Sequence, residues 1–156
     1  MIRLPEEKCA ALAGPLPGAT LDFLRDQGVP ELLEFRLIDH VFMLDMQPLL
    51  DGAVFRLGTV DSGSYAMGLR RETGQFGYAF VDEKPPWAFC NSSVQCFLSC
   101  FAASERLWEL ERENQWTSES CGEWLAREIR KIDPEVFSDE NNIWSFLVEE
   151  LRNEVV

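Results

Sequence analysis

The chain has 156 residues, 46% of them hydrophobic, with 11 Phe and 5 Trp, enough apolar material for one sizeable core; extensive disorder and a dependence on disulfide staples are excluded. It carries 27 acidic against 14 basic side chains, a formal charge of -13, and residues 101–156 alone hold 14 acids against 6 bases. A field of that sign repels nucleic-acid phosphates and anionic lipid, which excludes direct nucleic-acid and membrane-surface binding; it favours cationic protein partners, although the same charge also serves solubility.

The opening MIRLPEEKCAALAG contains acids and no continuous apolar stretch, so it does not read as a signal peptide. No later run approaches the ~18 apolar residues of a membrane span. A cytoplasmic location is expected. The five cysteines (Cys9, Cys90, Cys96, Cys100 and Cys121) are odd in number and lack framework spacing, which suits a reducing compartment. The length predicts a single domain over 1–156.

Residues 1–18 read as an irregular lead-in because two prolines and two glycines punctuate their end, Gly14-Pro15-Leu16-Pro17-Gly18. Ala19 to Gln27 reads as a short helix with Leu21, Phe23 and Leu24, ended by Gly28 and kept from restarting by Pro30. The period then changes to two. Phe35 to Leu44 has strand composition with imperfect alternation, and Val54 to Val60 is a second strand. Tyr65, Met67 and Leu69 against Phe76, Tyr78 and Phe80 form an alternating pair of runs. They are joined by Arg71-Glu72-Thr73-Gly74-Gln75, where Gly74 can take positive φ, and the pattern predicts an antiparallel hairpin.

After Pro85-Pro86 the period becomes helical. Ser92 to Gln95 fits a capping box, and Val94, Phe97, Leu98, Phe101 and Trp108 follow as one stripe. A second box, Ser120 to Glu123, opens a helix bearing Trp124, Leu125, Ile129 and Ile132, closed by Pro134. Asp139 is placed to cap a last helix whose stripe is Ile143, Phe146, Leu147 and Leu151. A strand-rich middle followed by a run of helices makes the expected class α+β, with the helices concentrated in the C-terminal half.

The catalytic vocabulary is thin. His40 is the only histidine, in a strand-like run that favours a structural or surface role over a general base. Cys96 and Cys100 are spaced for one helix face, with Cys90 and Cys121 as conceivable further ligands. The paired short-spaced loops of a zinc site are missing, so buried thiols are expected and no metal. The Gly63–Gly68 and Gly74–Gly77 spacings complete neither a phosphate loop nor a dinucleotide fingerprint. No cofactor is implied. What stands out is a set of acidic and aromatic residues at element ends: Asp61 and Tyr65 around a Gly/Ser turn, and Asp82, Glu83 and Trp87 around Pro85-Pro86. Loops on a rigid sheet and aromatic anchors make these the candidate partner-binding residues, with core packing the competing reading for Trp87. Trp108, Trp124 and Trp144 lie on helical apolar stripes and are assigned to the core.

The order of segments resembles the SUKH superfamily of bacterial immunity proteins, and its fourth immunity subgroup in particular. Phe23-Leu24 with Gly28-Val29-Pro30 is similar to the family's opening, with Val29 where leucine is usual. Leu57-Gly58-Thr59-Val60-Asp61 resembles the group's short segment of an aliphatic residue, a glycine and an aspartate, and Tyr65 to Leu69 with Thr73-Gly74 its hairpin. The most specific likeness is Phe89-Cys90-Asn91-Ser92-Ser93, leading through Phe97-Leu98, to the family's helix start. Asp133-Pro134, Ile143-Trp144 and Glu149-Glu150-Leu151 resemble its closing helix. Asn91, Ser92, Ser93 and Trp144 are thereby marked as structural motif residues.

The resemblance implies a mixed, largely antiparallel sheet flanked by helices, and a non-enzymatic protein that binds and neutralises a cognate toxin, for which a nuclease or nucleic-acid deaminase with a basic surface is expected. Two other readings stand beside it: an adaptor or regulatory module of the same fold with a partner unrelated to toxins, and an enzyme with a carboxylate site.

Overall fold

The structure, a computed structural model, describes residues 1–35, 38–60, 65–80, 82–114 and 118–153. The chain forms two compact units, Met1–Phe89 and Cys90–Val156. The α+β class is the one adopted: strands dominate the first unit and helices the second. Among the described residues no helix is long and apolar enough to cross a membrane.

The first unit begins with a helix where an irregular lead-in was expected. In α1 (Glu6–Leu12), Pro5 occupies the N-cap and Glu6 and Glu7 fill the first turn, where negative charge meets the positive end of the helix dipole. Cys9 and Leu12, one turn apart, are its buried face. With only seven residues, it offers a periodic signal too short to outweigh the prolines and glycines that follow. α2 (Gly18–Asp26) buries Thr20, Leu21 and Leu24. Gly28 ends it with φ +76, and a Cβ there would run into the Ile2 carbonyl and lie 2.8 Å from Arg3 Cγ. That contact exists because Ile2 and Val29 exchange backbone hydrogen bonds of 2.7 and 2.9 Å, which pin the N-terminal residues beside the helix end.

Among the described residues seven strands follow: β1 (Leu32–Phe35), β2 (Ile38–Phe42), β3 (Pro48–Leu49), β4 (Val54–Val60), β5 (Tyr65–Arg70), β6 (Phe76–Ala79) and β7 (Trp87–Asn91). The sheet order is β1-β2-β4-β5-β6-β7, with β3 paired to β4. The single strand expected over Phe35 to Leu44 is in fact split. β1 and β2 pair antiparallel with Phe35 opposite Ile38, and the imperfect alternation of that run reflects this break. The strand over Val54 to Val60 and the hairpin are as expected, with Leu69 opposite Phe76, Met67 opposite Tyr78, and Gly74 at φ +71.

One face of the sheet is core: Phe35, Phe42, Val60, Met67, Leu69 and Phe76 are buried. β4 carries an irregularity between Arg56 and Gly58, and the Leu57 carbonyl there accepts from both Met43 and Leu44. Leu44 and Met46 sit at φ +51 and +54, a region disfavoured for bulky side chains. Burial of both side chains offsets that strain.

The second unit packs α3 (Val94–Asn114) on α4 (Ser118–Ile132), and α4 on α5 (Ile143–Asn153), with a 3-10 turn at Pro134–Ser138. α3 buries Val94, Phe97, Cys100, Ser104 and Leu107. Leu98, Phe101 and Trp108 of the expected stripe are only half-buried, so the core face is rotated from the one read in the sequence. Trp124 is half-buried as well, while Phe146 is 62% exposed and Trp144 fully buried. On α5 the true stripe is Trp144, Leu147, Val148 and Leu151. The caps move too. Ser93, not Ser92, caps α3, its Oγ accepting from the Cys96 N–H at 3.0 Å. α4 starts at Ser118, so Ser120 to Glu123 lies inside it. Asn142, not Asp139, caps α5 through the Trp144 N–H at 3.0 Å. Gly122 lets α4 and α5 approach: a Cβ there would stand 2.7 Å from Arg152 Cγ and 3.1 Å from the Val148 carbonyl.

Ser92 is occupied by a buried network. Its N–H and Oγ each donate to the Asp133 carboxylate at 2.7 Å, and Asn91 Nδ2 donates to the same group at 3.0 Å. Asn91 Oδ1 accepts from Trp144 Nε1 at 2.8 Å, and Asn142 Nδ2 donates to the Cys90 carbonyl at 2.9 Å. Asn91, Asp133 and Asn142 are each at most 2% exposed.

Two stability outcomes follow. Gly28→Ala should lower folding stability by about 2 kcal/mol or more, since alanine must take left-handed backbone and meet the Ile2 carbonyl; urea unfolding checks this, and an unchanged midpoint would contradict the close approach. Trp144→Phe should lose about 1–2 kcal/mol by leaving Asn91 Oδ1 without its indole donor. Trp144→Ala should lose about 3–5 kcal/mol through the added cavity. No measurable loss in Trp144→Phe would show that the indole hydrogen bond contributes nothing beyond packing.

Candidate functional site

Antiparallel pairing brings three strand-to-strand junctions to one end of the sheet. There β1 ends and β2 begins, β4 ends and β5 begins, and β6 ends ahead of β7. Tyr65, the first residue of β5, is 39% exposed, and its ring meets Phe80 edge-on with centroids 4.9 Å apart. Asp82 and Glu83 are exposed in the connection that follows. The sheet end thus joins Tyr65, Asp82 and Glu83 of the sequence-predicted set. Asp61 lies outside the described residues.

Trp87 is placed differently. Its ring lies against Gly77, where a Cβ would come within 2.6 Å of the indole, and Arg70 stands 5.9 Å from the ring centroid. Gly77 opposes Gly68, one position out of phase with the pair of buried Met67 and half-buried Tyr78, so Trp87 covers the sheet's outer face and not the Tyr65–Phe80 corner. It is half-buried, between the two roles weighed for it.

Sequence reading missed two acids at this end. Glu34 and Asp39 sit directly opposite each other on β1 and β2, both exposed. Among the described residues none of Glu34, Asp39, Asp82 and Glu83 has an ion-pair partner. By contrast, Asp45 is paired with Arg56, whose guanidinium hydrogen-bonds the carboxyl and holds it below the usual carboxylate range. The missed signal was the break in the Phe35–Leu44 run: once it is treated as one strand, Leu32 and Glu34 have no partners to face.

The groups that chemistry would need are absorbed elsewhere. His40 is fully buried, its Nε2 3.0 Å from the Tyr78 hydroxyl and its ring 6.3 Å from that of Phe35. Cys9, Cys90, Cys100 and Cys121 are buried free thiols and Cys96 is half-buried. Burial pushes the Cys100 thiol up to about 12, and Asn91 Nδ2 lies 3.6 Å from its sulfur. A thiol held that high is neither a nucleophile nor a ready thiolate ligand near neutral pH. Among the described residues no three His, Cys, Asp or Glu side chains converge as a metal site. The arrangement that remains is one end of the sheet with exposed carboxylates that lack an ion pair among the described residues, together with the partly exposed Tyr65 ring.

The sequence model of one protein family, described as SUKH-4 immunity protein, matches residues 1–150. No curated protein and no solved structure matches the chain. The matched range runs through both compact units, from α1 into α5, and takes in the sheet end and the Asn91–Trp144 network together. Immunity against a toxin, exercised by binding that toxin, is what this family implies, and the chain belongs to the SUKH-4 immunity protein family.

Proposed function

We propose that the chain acts in the cytoplasm as the antidote to a basic toxin, a nuclease or nucleic-acid deaminase, by covering its substrate-binding surface without catalysing a reaction. Both units work as one immunity domain in this reading. The observation that carries it is the sheet end, which carries both the Tyr65–Phe80 ring pair and exposed carboxylates lacking ion-pair partners among the described residues. Enzymes that act on nucleic acid need cationic surfaces to hold phosphates. An acidic surface with an aromatic anchor meets such a face, and the chain's charge of -13 accelerates the encounter. The burial of His40 and of four thiols supports a binding role over a catalytic one.

The association rate with the toxin should then fall by about two orders of magnitude as salt rises from low to molar concentration, because screening removes long-range attraction. The dissociation rate should change far less. Charge reversal at Asp61, Asp82 and Glu83 should abolish protection of toxin-expressing cells. The same reversal at Glu105, Glu109 and Glu113 on α3, all exposed, should only slow binding. Equal loss from both sets would leave bulk charge as the whole explanation, and intact protection with salt-independent rates would sink the electrostatic account.

A further inference from the structure

The outer side of β1 and β2 is solvent-facing yet apolar. From Asp39 to Leu44 burial alternates strictly, with Asp39, Val41 and Met43 outward and His40, Phe42 and Leu44 inward. Leu32 pairs with Val41, and two positions along, Glu34 pairs with Asp39, so all four side chains share that outward face. Leu32 is 48% exposed, Val41 39% and Met43 47%, which makes them three of the six large exposed hydrophobic residues among those described. The same row continues through Thr59 and Ala66, side chains too small to stand above their neighbours. The result is a flat shelf with an apolar centre and a carboxylate pair at the sheet end.

Two features set this shelf apart from an ordinary solvated face. Single exposed hydrophobics need no explanation, but a cross-strand apolar pair with a third apolar residue beside it is a contiguous patch. Like charges directly opposite each other on paired strands weaken the sheet. Neither Glu34 nor Asp39 has an ion pair among the described residues to relieve that repulsion. Cross-strand neighbours are close enough for one guanidinium or ammonium group to lie between both carboxylates. A partner that places an Arg or Lys there, with an apolar side chain beside it on Leu32 and Val41, removes the repulsion and the exposed patch together.

We propose that this shelf, which reaches at Asp39 the same end of the sheet that carries Tyr65, Asp82 and Glu83, is the toxin-docking surface, and that its occupant is a cationic face of the toxin with an apolar anchor. The proposal rests on the immunity reading above. Charge complementarity selects this occupant over a second copy of the chain, which would bring another acidic surface of a protein charged -13 against the first.

The probe is the purified toxin domain encoded by the gene directly beside this one, inactivated by substitution, with binding followed by surface plasmon resonance. Glu34→Gln with Asp39→Asn should weaken binding about tenfold or more, while the thermal midpoint stays level or rises as the repulsion is lost. Leu32→Thr with Val41→Thr should weaken binding to a similar degree and keep the midpoint, since threonine retains strand preference. Glu105→Gln with Glu109→Gln removes the same charge from α3 and should leave the complex's lifetime unchanged. If the unmodified chain does not bind the domain, the immunity reading falls and this surface with it. If it binds and both shelf variants bind equally well, immunity stands and the shelf is not the site. A wild-type dimer in solution that Leu32→Thr with Val41→Thr separates would assign the shelf to self-association and overturn the proposal. So would binding losses that merely track falling midpoints in both variants.

Discussion

The helical half of this protein depends on one buried carboxylate. Asp133 is 2% exposed and takes three hydrogen bonds, two from Ser92 and one from Asn91. A buried carboxylate is costly unless its oxygens are satisfied, so it dictates where the residues after β7 must lie. Asn91 is held on both sides, giving hydrogens to Asp133 and accepting one from Trp144. Ser93 is then left free to start α3. Three consecutive polar residues therefore end a strand, clasp a carboxylate and cap a helix. Asn142 closes the arrangement by binding the Cys90 carbonyl and capping α5. Because every member holds another, an apolar replacement at Asn91 would strand several buried polar atoms at once.

The sheet half works under a different constraint. Its inner face is a packed layer of aromatic and aliphatic side chains, into which even the single histidine is drawn by the Tyr78 hydroxyl. Its outer face is where stability has been given up, with carboxylates set opposite each other and apolar side chains left in water. An antidote must form its complex faster than the toxin finds its substrate, and complementary charge raises encounter rates while anchors set the lifetime. In the docking proposed above, the partner relieves both features.

Legibility varied from element to element for physical reasons. The Val54–Val60 strand and the Leu69–Phe76 hairpin register were visible because alternation and a left-handed turn glycine are local signals, contained within a few residues. The break after Phe35 was not visible, and with it went the facing of Leu32 and Glu34 onto Val41 and Asp39. α1 was missed because two helical turns carry too little periodicity against the flanking prolines and glycines. On α3 the sequence offers two apolar faces, and Leu98, Phe101 and Trp108 compete on paper with Cys100, Ser104 and Leu107. Only packing on α4 selects the second set.

Sequence alone determined the α+β class, the acidic character, the absence of an obvious catalytic constellation and the start of a helix just after Asn91-Ser92-Ser93. Each of these is a property of composition or of a short window. The tertiary structure decided which serine caps and which one binds a carboxylate, because the partner of Asn91 and Ser92 is Asp133, over 40 positions away, and that of Asn91 Oδ1 is Trp144, 53 positions away. It also decided that Trp144 is core while Phe146, two residues on, faces water. Hydrogen bonds and buried faces of this kind are set by the meeting of distant segments, and no local pattern of residues encodes where those segments meet.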